Sequence, residues 1–508
     1  MSEQTQSILI KGGRVYDHDG NTDQPDVTDL LVSGSIITKI APQLQNKVTP
    51  ETIVINATGK LILPGFINAH YHSHDVLLKG CFETIPLEYW VLNALPPSYP
   101  MRSKEEVRVR TLLGAIECLR SGVTCVQDML TLSPFNPQHV DTVVSAYAEV
   151  GIRCVISLQI ADIPGIERVP FWKEMVPEEF HSKLGASAEP SKGDPLINIQ
   201  QQFIKHQHTS PLLSWAVGPT SPEFCSPKLL EGIRKISVEH GLPVITHIYE
   251  SRSMALAGRM YMPEHSGSQV KYLESVGLLG PNVGLAHSVW MREDEISLIE
   301  RTSTNVILNP VGNLKTRSGV PPIRSFLDAG INTAIGCDNC SCGDAQNMFQ
   351  SMKAFAGLSA VTNPEPGPPS AAETISHATR DGARALALGN QLGSLKPGMK
   401  ADITIIDLSS PQYVPLNSAA RQTVFSEGGE GVETVIVNGN IVLSDRKVTG
   451  VNEKDLYEEV NSLMPALRRD METVFRQNSE MEKYIFEAWR QTWKTDVGLN
   501  RYVGNRQI

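Results

Sequence analysis

Cysteine is scarce in this chain, with eight in 508 residues, too few for a disulfide framework, so reduced thiols are expected. No run of eighteen apolar residues occurs, which argues against a membrane-spanning helix. The opening segment MSEQTQSILIKGG has no basic stretch leading into an apolar one, the pattern of a secretory leader. Positive charge is the minority sign, 45 Lys and Arg against 55 Asp and Glu for a formal net charge of −10, and it is scattered, leaving no basic stripe for nucleic acid. What remains is ordinary globular composition, 41% hydrophobic and 20% charged. A chain of this length can bury a sizeable core and divide into several units. The expectation is a cytoplasmic protein acting on a small molecule, with neither nucleic acid nor membrane as partner.

The first sixty residues alternate β-branched runs with turn residues: Ser7 to Ile10, Arg14 to Tyr16, Thr28 to Val32, Ile36 to Ile40 and Thr52 to Ile55. They read as a small antiparallel sheet. A similar pattern returns in Asp402 to Asp407 and Glu433 to Leu443, where Asn438-Gly439 signals a hairpin. Between these flanks strands and amphipathic helices alternate, as a parallel α/β fold requires. The candidate strands are Phe66–His72, Val123–Asp128, Ile152–Leu158, Leu212–Gly218, Pro243–Ile248, Asn282–His287, Asn305–Asn309 and Asn332–Asp338. The fold predicted is a distorted (β/α)8 TIM barrel over residues 64–392. A small β-sandwich formed from residues 1–63 and 393–450 flanks it, followed by a C-terminal helical extension over 451–508. Residues from about 164 to 210 read as an insertion after the third strand, placed to shape a pocket. Asn452 is the N-cap of the extension, Pro465 should kink or split it, and its apolar residues suit packing on the barrel or on a second subunit in a homo-oligomer.

His70-Tyr71-His72 ends the first barrel strand, and residues two apart on a strand share a face, so both imidazoles can aim into the barrel mouth and share a metal. His247, His287 and Asp338 fall at the same end of the fifth, sixth and eighth strands, where barrel enzymes assemble their sites. Each alone could be a satisfied structural residue or a helix cap. Together they form a donor set of imidazoles plus one carboxylate, which favours zinc, or iron, over calcium or magnesium. His74 has the right parity but lies past the strand end and suits a supporting place. Trp90 and Tyr89 could line an aromatic pocket or be core, and Gln127 and Asp128 end the second strand within reach of a substrate. Cys337, Cys340 and Cys342 lack a fourth ligand and read as small buried or loop cysteines.

The segments PGFINAHYHSH, KGCFETIPLEYW, VITHIYE, LAHSVW, NPVGNLKTRSG, IGCDN and LKPGMKADITIIDL, in that order, resemble the amidohydrolase superfamily. The nearest likeness is to the branch of atrazine chlorohydrolase, triazine hydrolases and S-adenosylhomocysteine or guanine-type deaminases, over roughly residues 7 to 445. The resemblance implies one divalent metal held by His70, His72, His247 and Asp338, with a position open for water. It further implies that Asp338 takes a proton from that water, His287 hydrogen-bonds the attacking oxygen or the developing oxyanion, and Glu250 protonates a ring nitrogen and then helps the leaving group depart. Asn313 matches an asparagine that touches substrate.

The reaction implied is hydrolytic displacement of an amino or similar group from a nitrogen heterocycle. The alternative is cleavage of an exocyclic amide, urea or carbamate by the same site, and a metal-free binding protein is the rival outside enzymes. The chain departs from the family pattern at Gly312, where a serine is common, and at Asn339, where glycine is common. Both departures are expected to bear on substrate contacts and to leave the metal set intact. No lysine ends the fourth strand to bridge a second metal.

Overall fold

Parallel strands that are apolar along their whole length need cover on both faces, and the strands from Phe66 onward are buried at nearly every residue. The computed structural model describes residues 6–47, 49–181, 194–362, 365 and 367–502. Phe66–His72, Val123–Leu130, Arg153–Ile160, Leu213–Pro219, Val244–Ile248, Val283–His287 and Asn305–Leu308 lie side by side in chain order. The eighth barrel strand comes in two pieces. Thr333–Ile335 pairs with Asn305–Leu308, while Asp338–Asn339 pairs with Phe66–His72, Asp338 standing opposite Tyr71. One strand thus holds both neighbours and closes the (β/α)8 barrel.

The break falls at Gly336, whose N–H donates to Leu308 O at 2.9 Å while Cys337 N–H reaches across to His70 O at 3.2 Å. A Cβ at Gly336 would lie 2.4 Å from Asn309 Oδ1 and 2.8 Å from His70 O, so no side chain fits where the strand changes partner.

Helices cover the outside. Lys104–Arg120 starts at Ser103, whose hydroxyl accepts from Glu106 N–H, with Glu105 and Glu106 in its first turn and Arg120 in its last, as the helix dipole favours. Its Gly114 leaves room for Tyr71, since a Cβ there would meet the Tyr71 hydroxyl at 2.0 Å. Tyr71 therefore faces the helices, and His70 and His72, of opposite parity, face the barrel axis.

The second sheet is mixed rather than antiparallel. Ser7 to Tyr16 does not form two strands but mainly one, Ser7–Val15, with an irregularity between Ile10 and Gly13. It pairs in parallel with Ile53–Asn56 and with Lys60–Pro64. Lys60–Pro64, missed by the sequence pattern, joins the two flanks by pairing antiparallel with Ile403–Asp407. Ile8, Val32, Ile62, Ile403 and Ile436 form the core of this sheet. The hairpin at Asn438-Gly439 is as expected, both residues having positive φ (52° and 79°).

Two further expectations need correction. The stretch after the third strand is not all insertion: Pro195–His206 is a helix, capped by Asp194 with Ile199 and Phe203 buried. Residues 182–193 lie outside the described residues. Pro465 does not split the extension, which runs unbroken as Glu453–Thr492 from its N-cap Asn452. Proline removes the N–H that would bond the carbonyl of Asn461, and both residues are solvent-exposed, so water can satisfy that carbonyl. The buried side of the helix packs on its own barrel, Leu467, Met471 and Val474 meeting Leu87 and Trp90. No helix among the described residues is long and apolar enough to cross a membrane.

Gly336→Ala is expected to destabilise the protein by about 1–3 kcal/mol through overpacking, read as a lower urea midpoint. An unchanged midpoint would show that Asn309 and His70 have room to yield.

Candidate active site

The site forms where the barrel strands end. His72 Nδ1 lies 2.7 Å from Met129 O and His247 Nδ1 2.6 Å from Thr220 O. A carbonyl oxygen only accepts, so each Nδ1 carries the proton and each Nε2 is a bare lone pair. Those two Nε2 atoms face one another at 3.2 Å. His70 Nε2 is also 3.2 Å from His72 Nε2, and Asp338 Oδ1 stands 3.7 Å from Nε2 of both His70 and His72. Converging lone pairs repel unless a cation lies among them, so the donor set fits a divalent metal. His70, His72 and Asp338 each offer a ligand atom within 4.8 Å of the others, as do His70, His247 and His287.

Electrostatics support the same reading. Burial, followed by the neighbouring imidazoles, holds His70 and His72 well below the usual histidine range. Burial and then His287 lower His247 to about 4, and burial lowers His287 to about 4. All four are therefore neutral near pH 7, the form that binds metal. Burial raises the Asp338 carboxyl to about 6 against the opposing pull of His247.

His287 Nδ1 donates to Asn313 Oδ1 at 2.8 Å, which leaves Nε2 facing Glu250 Oε2 at 3.5 Å. Glu250 is pushed well above the usual carboxyl range by burial first and then by Asp338, Glu88 and Glu223. Strain concentrates here: Tyr249, His287 and Asp338 take φ of 51°, 71° and 66°, left-handed values uncommon for residues other than glycine.

A cavity of about 370 Å³ opens onto this cluster, with His72, His247, Glu250 and Asp338 in its wall. Trp90 lines it and donates from Nε1 to Ser341 Oγ at 2.8 Å. Ser341 in turn is held by Asp75, which accepts from its N–H and its hydroxyl. Gln127 and Asn313 are corrections. Gln127 is fully buried and outside the cavity wall, its Nε2 donating to Ser157 Oγ at 2.8 Å. Asn313 spends its oxygen on His287. Neither lines the cavity, and Asn313 orients an imidazole instead. Asp128 accepts from Ser73 N–H and Tyr147 Oη, and Tyr89 stands outside the wall. His74 lines the cavity and accepts from Asn339 Nδ2 at 3.2 Å. Cys337, Cys340 and Cys342 are buried free thiols.

The departures at Gly312 and Asn339 reach closer to the metal set than the sequence suggested. A Cβ at Gly312 would lie 2.8 Å from Asp338 Oδ2, and Asn339 N–H favours the ionised form of Asp338. Sequence reasoning missed Glu88 and Glu223, both in the cavity wall. Glu223 follows the fourth strand in Ser221-Pro222-Glu223, a turn signal that hid a buried carboxyl.

Residues 61–442 match the amidohydrolase family. The chain belongs to that family. The resemblance read from the motifs is thus borne out, and this amidohydrolase is an enzyme that hydrolyses carbon–nitrogen bonds. Its curated relatives include the 5-methylthioadenosine/S-adenosylhomocysteine deaminase of Thermococcus kodakarensis, 32% identical over 437 residues that cover 86% of this chain and 94% of the relative. The 5'-deoxyadenosine deaminase of Methanothermobacter thermautotrophicus is 31% identical over 461 residues, 89% of this chain and 97% of the relative. An adenosine deaminase structure from Xanthomonas campestris with bound zinc superposes with TM-score 0.80 at 24% identity, covering 91% of this chain and 99% of that one. Atrazine chlorohydrolase of Arthrobacter aurescens complexed with zinc gives 0.73 at 21% identity, over 90% and 100%. These structures show that the amidohydrolase shares their fold.

The Glu223 carboxyl is raised by burial to about 7. The folded state therefore holds a proton that the unfolded chain releases near the ordinary value of 4.5, and stability falls as pH rises from about 4.5 to 7. Glu223→Gln should remove this slope and be more stable than wild type at pH 8, by an amount on the order of 3 kcal/mol. Melting curves from pH 5 to 8 check this, and parallel curves for the two proteins would contradict it.

Proposed function

We propose that this amidohydrolase displaces an amino or similar leaving group hydrolytically from a nitrogen heterocycle, using one zinc ion held by His70, His72, His247 and Asp338. The observation that carries the reading is the pair of bare Nε2 lone pairs on His72 and His247 facing each other at 3.2 Å beside the Asp338 carboxylate. Bound there, a divalent ion supplies Lewis acidity that makes water a nucleophile near neutral pH.

The chain's own groups do the rest. The Met129 and Thr220 carbonyls fix the ligand tautomers, and Asn313 turns His287 so that its Nε2 faces the reaction space. The Asp338 carboxylate receives the proton released by the attacking water. His287 Nε2 accepts a hydrogen bond from the attacking water and so orients it. Glu250 presents its carboxyl to the ring nitrogen and protonates it as the ring carbon becomes tetrahedral; the proton held by Asp338 then goes to the departing amine, and the new hydroxyl returns a proton to Glu250 as it becomes a carbonyl. The buried wall excludes bulk water and keeps these transfers local. The deaminase names of the curated relatives agree with an aminated ring as substrate.

The test is an ammonia-release screen over aminopurines, aminopyrimidines, aminotriazines, open-chain amides and ureas, run on wild type and Glu250→Gln. Ammonia from an aminated ring is expected, with kcat lowered by about 10²–10⁴ in Glu250→Gln and zinc retained by mass spectrometry. Turnover of amides or ureas alone would overturn the heterocycle reading.

A further inference from the structure

Beyond residue 442, where the family match ends, the C-terminal extension reaches the site twice. Met481 and Ile485 of the helix Glu453–Thr492 lie in the cavity wall. Past the helix, the chain is fastened to the segments that follow the sixth and seventh strands. Arg501 Nη2 donates to Met291 O at 2.5 Å, Val320 N–H donates to Arg501 O at 2.8 Å, and the Tyr502 hydroxyl donates to Arg317 O. The end of the chain is therefore tied to the end of the barrel that carries the site.

Arg252 makes a further link. It is the first residue of the helix Arg252–Tyr261, the end at which a helix dipole disfavours a cation, and only 9% of it is exposed. Its partners explain the placement. Nε donates to Thr492 O at 3.1 Å and Nη2 to Thr495 O at 2.7 Å, so the guanidinium caps the negative end of the long helix. Its Cζ lies 5.3 Å from the centre of the Trp290 ring and 4.8 Å from that of Trp493, within cation–π range of both. Trp290 is itself held at two points, its backbone N–H donating to Tyr249 O at 3.1 Å and its Nε1 to Ser318 O at 2.7 Å.

Glu250 lies between these anchors. Its carboxyl approaches His287 Nε2 at 3.5 Å and has no hydrogen-bond partner among the described residues, so its aim is set by its backbone. The preceding residue, Tyr249, has φ of 51°, a conformation that persists only where the surroundings over-determine it. On one side Trp290 N–H holds Tyr249 O. On the other, Ser251 Oγ donates to Glu88 Oε1 at 2.6 Å and Arg252 is gripped by the extension. Neither Arg252 nor Trp493 lines the cavity, so they reach the chemistry only through this backbone. We propose that Arg252, gripped by Trp493 and the last carbonyls of the C-terminal helix, is a positioning residue that fixes the backbone of residues 249–251 and so aims the Glu250 carboxyl at the substrate. The inference rests on the reading of Glu250 as the proton donor and adds what holds it in place.

The test is a double-mutant cycle on the full-length, zinc-loaded enzyme with the substrate that the ammonia screen returns. Arg252→Met keeps an unbranched apolar stem and removes the charge with its donors. It should lower kcat about 10–100-fold, as a displacement on the order of 1 Å implies, with KM within about threefold of wild type and zinc retained. Arg252→Lys, which keeps the charge but lacks the planar fork, should recover part of kcat. In the Glu250→Gln background the same Arg252→Met change should cost less than about twofold, because the acid it aims is already gone. Trp493→Leu should follow the same non-additive pattern with a smaller loss, and it decides by the same criterion should Arg252→Met lose zinc or fail to fold. Equal losses in both backgrounds, or a lower melting temperature with kcat per bound zinc unchanged, would overturn the inference and leave the role of Glu250 standing. A wild-type kcat in Glu250→Gln alone would overturn that role and the inference together.

Discussion

Three neutral imidazoles and a carboxylate have to be kept facing one another, away from water, and much of the structure around the barrel mouth serves that constraint. Nothing in the side chains themselves would hold them so, because their lone pairs repel. The backbone does it. Met129 O and Thr220 O, on the second and just after the fourth strands, take the Nδ1 protons of His72 and His247 and thereby decide which nitrogens point inward. Burial adds the second condition, since a dry site favours the uncharged imidazoles that a metal needs. The strained backbone at His287 and Asp338 is the conformational cost of aiming those side chains at a shared point.

The same constraint explains the broken eighth strand. Asp338 must sit beside His70 and His72, so its strand leaves Asn305–Leu308 and crosses to Phe66–His72 within a few residues. Polar side chains buried at the seam hold the crossing. Asn68 Oδ1 accepts from Cys337 N–H at 2.9 Å, Asn68 Nδ2 donates to Gln346 Oε1 at 3.0 Å, and Gln346 Nε2 donates to Asp338 O at 2.8 Å. Barrel closure and ligand placement are therefore one event, and the glycines at 312 and 336 clear the space in which it happens.

How much of this could be read beforehand follows from the range over which each signal acts. Strand ends carrying His70, His72, His247, His287 and Asp338 were legible because strand parity and the barrel's polarity are local rules. The hairpin at Asn438-Gly439 and the cap at Asn452 were legible for the same reason. Long-range pairings were not. Lys60–Pro64 lies so close before the first barrel strand that its pattern merges with it, and only its partner Ile403–Asp407 distinguishes it. Gln127 and Asn313 looked like substrate contacts because a polar residue at a strand end has the same signature whether it faces the cavity or bonds a buried neighbour, Ser157 for Gln127 and His287 for Asn313. Glu223 was hidden in a turn. The place of Met481 and Ile485 in the cavity wall depends on where a long helix crosses the barrel, which no local pattern records.

The most direct test is a crystal structure with anomalous data collected on both sides of the zinc absorption edge. One edge-dependent peak about 2.0–2.2 Å from Nε2 of His70, His72 and His247 and from an Asp338 carboxylate oxygen is expected, with His287 and Glu250 outside bonding distance of it. A peak ligated by His287 in place of His247, or no peak in zinc-supplemented protein with the imidazoles still facing one another, would contradict the account.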